Sequence, residues 1–270
     1  MIQMLIDFNK SESAIKIDFS QLCGVAHPPA SSAIDTFYTI RELALTSAYQ
    51  EPFASNETLR SNLLLLVFSS AETYFRRIIA ESMALCPVAK ESASQQQVSL
   101  GAFSTFTADD IGFAISDTRG FTSSGEIVTR TKTLLGISIK ANSSLSAAIS
   151  DFERVCNFRH SIAHCSGELL YNNRRELNLS MHGRVIVSFD DKAFQDVLQV
   201  VVNCVRAFNN TIANEILQRW FVQKIFKGQW SSDKKMFERH HGIFRSSTDN
   251  PEPPDYEQLY KTCKQQMKVT

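Results

Sequence analysis

Glycine and proline are scarce in this chain, 10 and 7 among 270 residues. So few turn-formers leave long stretches uninterrupted, which disfavours a mostly β architecture and excludes a low-complexity chain. Excess charge of one sign is lacking too, since 28 Lys and Arg balance 28 Asp and Glu. With no net charge the molecule has no global field to gather nucleic acid or an anionic membrane, so any polyanion site must be local. The longest unbroken apolar run, Leu63 to Phe68, falls far short of the roughly 20 residues that span a bilayer. No basic segment precedes the short apolar run after Met1, and Asp7 ends it early. The expectation is therefore no secretion and no membrane span. Cys23, Cys86, Cys156, Cys165, Cys204 and Cys263 form no Cys-x-x-Cys pair, so reduced thiols in a cytoplasmic protein are the plain reading. The chain has neither a phosphate-cradling glycine loop nor a dinucleotide fingerprint, and His240-His241 lacks partners at ligand spacing. No metal and no cofactor are expected.

What is present is an ordinary globular composition, 43% hydrophobic and 21% charged, enough for a core without disulfides. Residues 1–30 read as an N-terminal segment closed by Ala26-His27-Pro28-Pro29-Ala30. A helix is expected from Ser31 or Ser32 to Gln50, and a long one from about Ser55 to Leu85 with the stripe Leu64, Phe68, Ala71, Phe75 and Ile78. Residues 88–140 are rich in Ser, Thr and Gln, and fit short helices joined by loops or a variable insert. Asn142-Ser143-Ser144 signals a cap for a helix ending near His164. Alternating residues at 168–171, 176–180 and 184–189 predict three short strands forming a small β-hairpin or sheet, with turns at Asn172-Asn173 and His182-Gly183. Asp190-Asp191 then caps a helix reaching about Phe226, and residues 229–270 read as a polar extension. The fold expected is a mainly α, up-and-down helical bundle over 31–228, decorated by the insert and the hairpin.

One helix end concentrates the chemistry. At 100° per residue, Ala148, Phe152, Val155 and Ile162 share a face, and Arg159 falls in its middle. A guanidinium there must snorkel, pair with a carboxylate, or face a ligand or second subunit, because an unpaired buried charge is costly. His160 and His164 are one turn apart, with Asn157 nearby. Such a set suits phosphate chemistry. RNA carries its own nucleophile, the 2′-hydroxyl, so its cleavage needs proton transfer and charge stabilisation rather than a covalent intermediate. Imidazole titrates near neutrality and can take or give the proton. Arginine stays charged and offers a forked donor set to the phosphorane oxygens.

Arg159-His160-Ser161-Ile162-Ala163-His164 resembles the R-x4-6-H motif of the HEPN superfamily (higher eukaryotes and prokaryotes nucleotide-binding), where a polar residue usually follows the Arg, as His160 does here. The resemblance covers about two thirds of the chain and extends to the order long helix, motif helix, last helix. It implies a four- or five-helix bundle and, as in many members, a metal-independent endoribonuclease of toxin–antitoxin or antiviral defence systems. It also implies a homodimer in which two motif copies meet, with an antitoxin protein as a further partner. Carried over by position, Arg159 and His164 are catalytic and His160 supports them. The stretches 88–140 and 229–270 have no counterpart in the minimal bundle, and some members of the superfamily are binding or scaffolding modules without turnover.

Neighbouring residues have two readings each. Glu72 is either half of a solvated i,i+4 pair with Arg76 or the buried partner that orients Arg159. Between Glu153 and Arg184 lie five basic residues (Arg154, Arg159, Arg174, Arg175, Arg184) and three acidic ones (Glu153, Glu168, Glu176). Arg174, Arg175 and Arg184 either form a rim guiding RNA or protect a solvated edge strand. Tyr171 either stacks a splayed base or packs across the hairpin.

Overall fold

The computed structural model describes residues 18–24, 30–106, 111–116 and 120–267. Most of the expected N-terminal segment, including Ala26 to Pro29, lies outside the described residues. The chain divides into two units, Met1–Ala30 and Ser31–Thr270. In the first, Asp18 caps the 3-10 turn Phe19–Leu22 by accepting from the Ser20 amide.

The second unit is helical, with eleven α-helices among its described residues. Helix α1 spans Ala33–Ala48 and α2 spans Glu57–Leu85, capped by Ser32 and Asn56, whose side chains accept from backbone amides three residues on. These caps satisfy N–H groups that the helical ladder leaves open. Helix α2 is the axis of the bundle and touches α1 as well as the later helices α3, α5, α6, α7, α9 and α10. Its apolar stripe runs as the sequence predicts, with Leu64, Phe68, Ala71, Phe75 and Ile78 all buried.

Among the described residues, 88–140 contain short helices. They hold most of α3 (Pro87–Ala93), α4 (Leu100–Thr105), α5 (Ile111–Ser116) and α6 (Ser124–Leu135). The end of this stretch is built into the core: Phe121, Ile127, Leu134 and Leu135 are buried, and the Phe121 ring stacks on Phe75 at 5.9 Å and 19°. Gly136 ends α6 in the left-handed region at φ 62°, the C-terminal cap that suits glycine. Helix α7 (Ser144–His164) starts at the Ser143 cap and packs on α2, α6 and the later α9.

The expected hairpin at 168–189 is a correction. No strand occurs among the described residues, and a single antiparallel bridge joins Glu168 to Ile186. Tyr171–Glu176 is instead the short helix α8. Two features undo the strand: Asn178 has a φ of 56°, which no ladder residue adopts, and the Leu177 and Leu179 amides turn back to the carbonyls of Asn173 and Arg174. The alternation at 184–189 still sets the faces. Val185 and Phe189 are buried while Arg184, Ile186 and Ser188 are exposed.

Helix α9 (Asp191–Val222) follows from the Asp190 cap. Residues 229–270, read from the sequence as a polar extension, contain α10 (Trp230–Phe244) and α11 (Tyr256–Met267). Their few apolar side chains are spent inward: Phe237, Phe244 and Tyr260 are buried. Tyr260 donates to Asp233 at 2.6 Å, and Asp233 also accepts the Lys227 and Gly228 amides, tying the end of α9 to α10 and α11.

Candidate functional site

Arg159 lies where helical geometry puts it, on the side of α7 that meets α2. Its Nη2 is 3.4 Å from Glu72 Oε1. The other Glu72 oxygen accepts from Arg76 Nη2 at 3.3 Å. The i,i+4 pair with Arg76 forms but is not solvated on the Glu72 side: one buried carboxylate bridges two guanidiniums that are each about a third exposed (34% for Arg159, 29% for Arg76). The local balance is one net positive charge. Phe121 forms the apolar backing: Arg76 lies 5.8 Å and Arg130 4.8 Å from its ring centre, within cation–π range. A Cβ on Gly120 would lie 3.7 Å from Glu72 Oε2, so the chain entering Phe121 runs alongside the carboxylate. Cys156, one turn before His160, is buried beside this cluster. Burial first, and Glu72 second, push its thiol well above the ordinary range, while Arg159 opposes them.

The two imidazoles face elsewhere. His160 and His164 are exposed, with ring centres 5.1 Å apart at 52°. A rotation of 100° per residue puts His164 about 140° around the helix from Arg159, with His160 between them. Within one subunit the guanidinium and the His164 ring thus open on different sides of α7. Asn157 belongs to the imidazole side. It is buried, its Oδ1 accepts from Asn173 Nδ2 at 2.8 Å, and its carbonyl accepts from Ser161 Oγ at 3.1 Å. The Asn157–Asn173 bond fastens α8 to the stripe that carries the histidines. No linear pattern marks Asn173 for this role, because its partner is sixteen residues away across a loop.

The expected basic rim separates into different parts. Arg184 is held by Glu168 through two contacts of 3.0 and 2.6 Å. Arg174 Nη1 donates to the carbonyls of Met181 and Gly183 at 3.3 and 2.7 Å, tying the 181–183 loop to α8. Arg175 is exposed, its side chain has no ionic or hydrogen-bonding partner among the described residues, and Tyr171 is 69% exposed. These two, with Arg174, Leu179, Met181, His182 and Gly183, line a cavity of about 380 Å³. A second cavity of about 470 Å³ lies on the far side of α9, walled by α10, α11 and the Arg206–Asp249 pair. Neither cavity includes Arg159, His160 or His164 in its walls.

Among the described residues no three His, Cys, Asp or Glu side chains gather as a metal-ligand set, and no helix is long and apolar enough to cross a membrane. Comparison with protein-family models, with curated proteins and with solved structures finds no match to this chain.

Proposed function

We propose that the protein is a metal-independent endoribonuclease of HEPN type, cytoplasmic and homodimeric, acting on single-stranded or loop RNA within a toxin–antitoxin or antiviral defence system. The observation that carries this reading is the end of α7. Two exposed imidazoles stand one turn apart, on a helix whose Arg159 is held by a buried carboxylate yet remains a third exposed.

In the proposed reaction the RNA 2′-oxygen bonds to the adjacent phosphorus and the bond from phosphorus to the 5′-oxygen breaks. His164 serves as the acid or base, with His160 positioning it or sharing the transfer. The proton leaving the 2′-hydroxyl passes to an imidazole, and an imidazolium supplies one to the departing 5′-oxygen. Arg159 offsets the charge that builds on the phosphorane oxygens. The products are a 2′,3′-cyclic phosphate and a 5′-hydroxyl. Because Arg159 and His164 open on different sides of one helix, the reading places the reacting phosphate between two copies of α7, with Arg159 of one and His164 of the other converging on it. An antitoxin protein is the further partner this reading brings with it.

A second reading has an observation of its own. The Glu72 bridge gives Arg159 a structural use in the bundle, which suits a non-catalytic helical module binding a partner protein or nucleotide. The test is incubation of the purified protein, and of its His164→Ala variant, with mixed-sequence single-stranded RNA in EDTA, reading the product ends. Cleavage to cyclic phosphate by the wild type alone is the expected result. Equal activity in the variant refutes the mechanism, and absence of cleavage in both favours the binding module.

A further inference from the structure

We infer that the cavity between α8 and the 181–183 loop is a nucleotide subsite, taking one base and its phosphate from single-stranded RNA beside the histidine-bearing side of α7. The inference rests on the ribonuclease reading for its choice of ligand and on the cavity itself for its chemistry. About 380 Å³ is within the range of small-ligand pockets. The walls combine a phenol ring, a thioether and a leucine with two guanidiniums and an imidazole, and no carboxylate is among them.

The parts divide by what already engages them. Arg174 is committed to the carbonyls of Met181 and Gly183, so it shapes the cavity rather than serving a ligand. Arg175 and His182 are exposed, and among the described residues neither side chain enters a hydrogen bond or ion pair, so Arg175 is the cation left for a ligand. Tyr171 and Met181 hold 69% and 59% of their surface in solvent, a large apolar outlay on one small cup. Exposed apolar side chains gathered in one place mark a binding surface. A ligand matching both halves needs a flat apolar face and an anion close together, which a nucleotide supplies in one unit: the base stacks on Tyr171 and the phosphate meets Arg175. A second copy of the chain docking isologously here would set like-charged guanidiniums face to face, which disfavours it. The Asn157–Asn173 bond at 2.8 Å fixes α8, and with it this cup, to the helix that carries His160 and His164.

The test uses the full-length His164→Ala protein, so that RNA stays intact, with a fluorescent single-stranded RNA tetranucleotide carrying 4-thiouridine. Photo-cross-links are mapped by mass spectrometry, and affinity is read by anisotropy across a salt series. Adducts on residues 171–183 are expected. Tyr171→Ala is expected to weaken binding about tenfold through lost stacking. Arg175→Ala should flatten the slope of log K against log salt by about 0.7 through one lost phosphate contact. Circular dichroism melting of both variants should match the parent, because both side chains are exposed. Adducts elsewhere with Tyr171→Ala at parental affinity overturn the subsite, as does an acidic peptide binding here more tightly than the tetranucleotide. Wild-type cleavage measured alongside keeps the two ideas apart. A protein that cleaves without Tyr171-dependent binding refutes the cup and keeps the nuclease, and one that binds through Tyr171 but cleaves nothing does the reverse.

Discussion

Replacing Glu72 with Gln probes the bundle and the candidate site at once. The Glu72 side chain is 9% exposed and faces guanidiniums on both oxygens, at 3.3 and 3.4 Å. Stripping a partner from a fully buried ion pair costs about 3–5 kcal/mol. Both arginines here are about a third open to water, so the abandoned cations recover part of their hydration. Their contacts are also longer than the roughly 2.7–2.9 Å of strong charge-assisted bonds. The amide keeps an acceptor for one guanidinium and turns a donor toward the other. The net loss is then about 2 kcal/mol, from hydrogen bonds to charged groups worth about 1.5–3 kcal/mol each. For a unit of this size that lowers the melting midpoint by roughly 4–8 °C. Urea unfolding of Glu72→Gln, Arg159→Gln and the double variant gives the coupling directly, and about 1 kcal/mol of non-additivity is expected for residues in contact. A Glu72→Gln protein within about 0.3 kcal/mol of wild type, additive with Arg159→Gln, would falsify the bridge as a determinant of Arg159 placement, since independent sites add to about that tolerance. If Arg159 is catalytic, the same variant should lose turnover more than substrate affinity.

Two further outcomes follow from the core. Phe121→Ala should cost about 3–5 kcal/mol in urea unfolding, as for a large aromatic removed from a packed interior, because its ring is wholly buried against Phe75 and backs Arg130; a loss below about 1 kcal/mol, the level of a surface change, would make the 88–140 stretch a dispensable insert. His240 is buried under Trp220 and Phe244, and burial holds its imidazole down to about 3 against the opposing bond to the Ala213 carbonyl. The unfolded chain therefore takes a proton near pH 6.5 that the folded one refuses, so stability should fall as pH drops from 6.5 toward 3. A His240→Phe variant whose urea midpoint falls as steeply as wild type between pH 6.5 and 4 would rule His240 out as the source.

Helices α1, α2, α7 and α9 were legible because their signals are local. Ser143, Asn56 and Asp190 cap the helices they precede, and the Leu64–Ile78 stripe states its buried face at helical spacing. The placement of Arg159 against α2 was legible for the same reason, since a charge centred on an apolar face has few resolutions. The hairpin was misread because alternation reports which side chains turn inward, not what the backbone pairs with. Val185 and Phe189 do point inward, but Asn178 in the left-handed region breaks the second strand before it forms. Helices α10 and α11 were hidden by composition. A chain lying on a finished core needs few apolar residues, and Phe237, Phe244 and Tyr260 suffice when Asp233 and Tyr260 supply a buried hydrogen bond. The α8 cup depends on the Arg174 tie to Met181 and Gly183, contacts seven and nine residues away that follow no helix or strand period.

The Glu72 bridge alone does not choose between nuclease and binding module, because a positioned catalytic guanidinium and a structural one look alike at rest. The choice turns on the roughly 140° that separates Arg159 from His164 around α7. With Arg159 held toward α2 by Glu72 and His164 exposed about 140° further round the helix, the nuclease reading takes a composite site between two subunits. Mixing Arg159→Ala protein with His164→Ala protein then becomes decisive. Each homodimer lacks one essential group at every site, whereas a mixed dimer regains one complete site, with Arg159 from one subunit and His164 from the other. Random exchange makes about half the dimers mixed, each with one of two sites restored, so about a quarter of wild-type RNA cleavage should return. Recovery that rises with subunit exchange time supports the composite site. Two inactive variants that stay inactive after exchange, with dimer formation verified by sedimentation, remove the shared site and with it the nuclease mechanism proposed for this helix end.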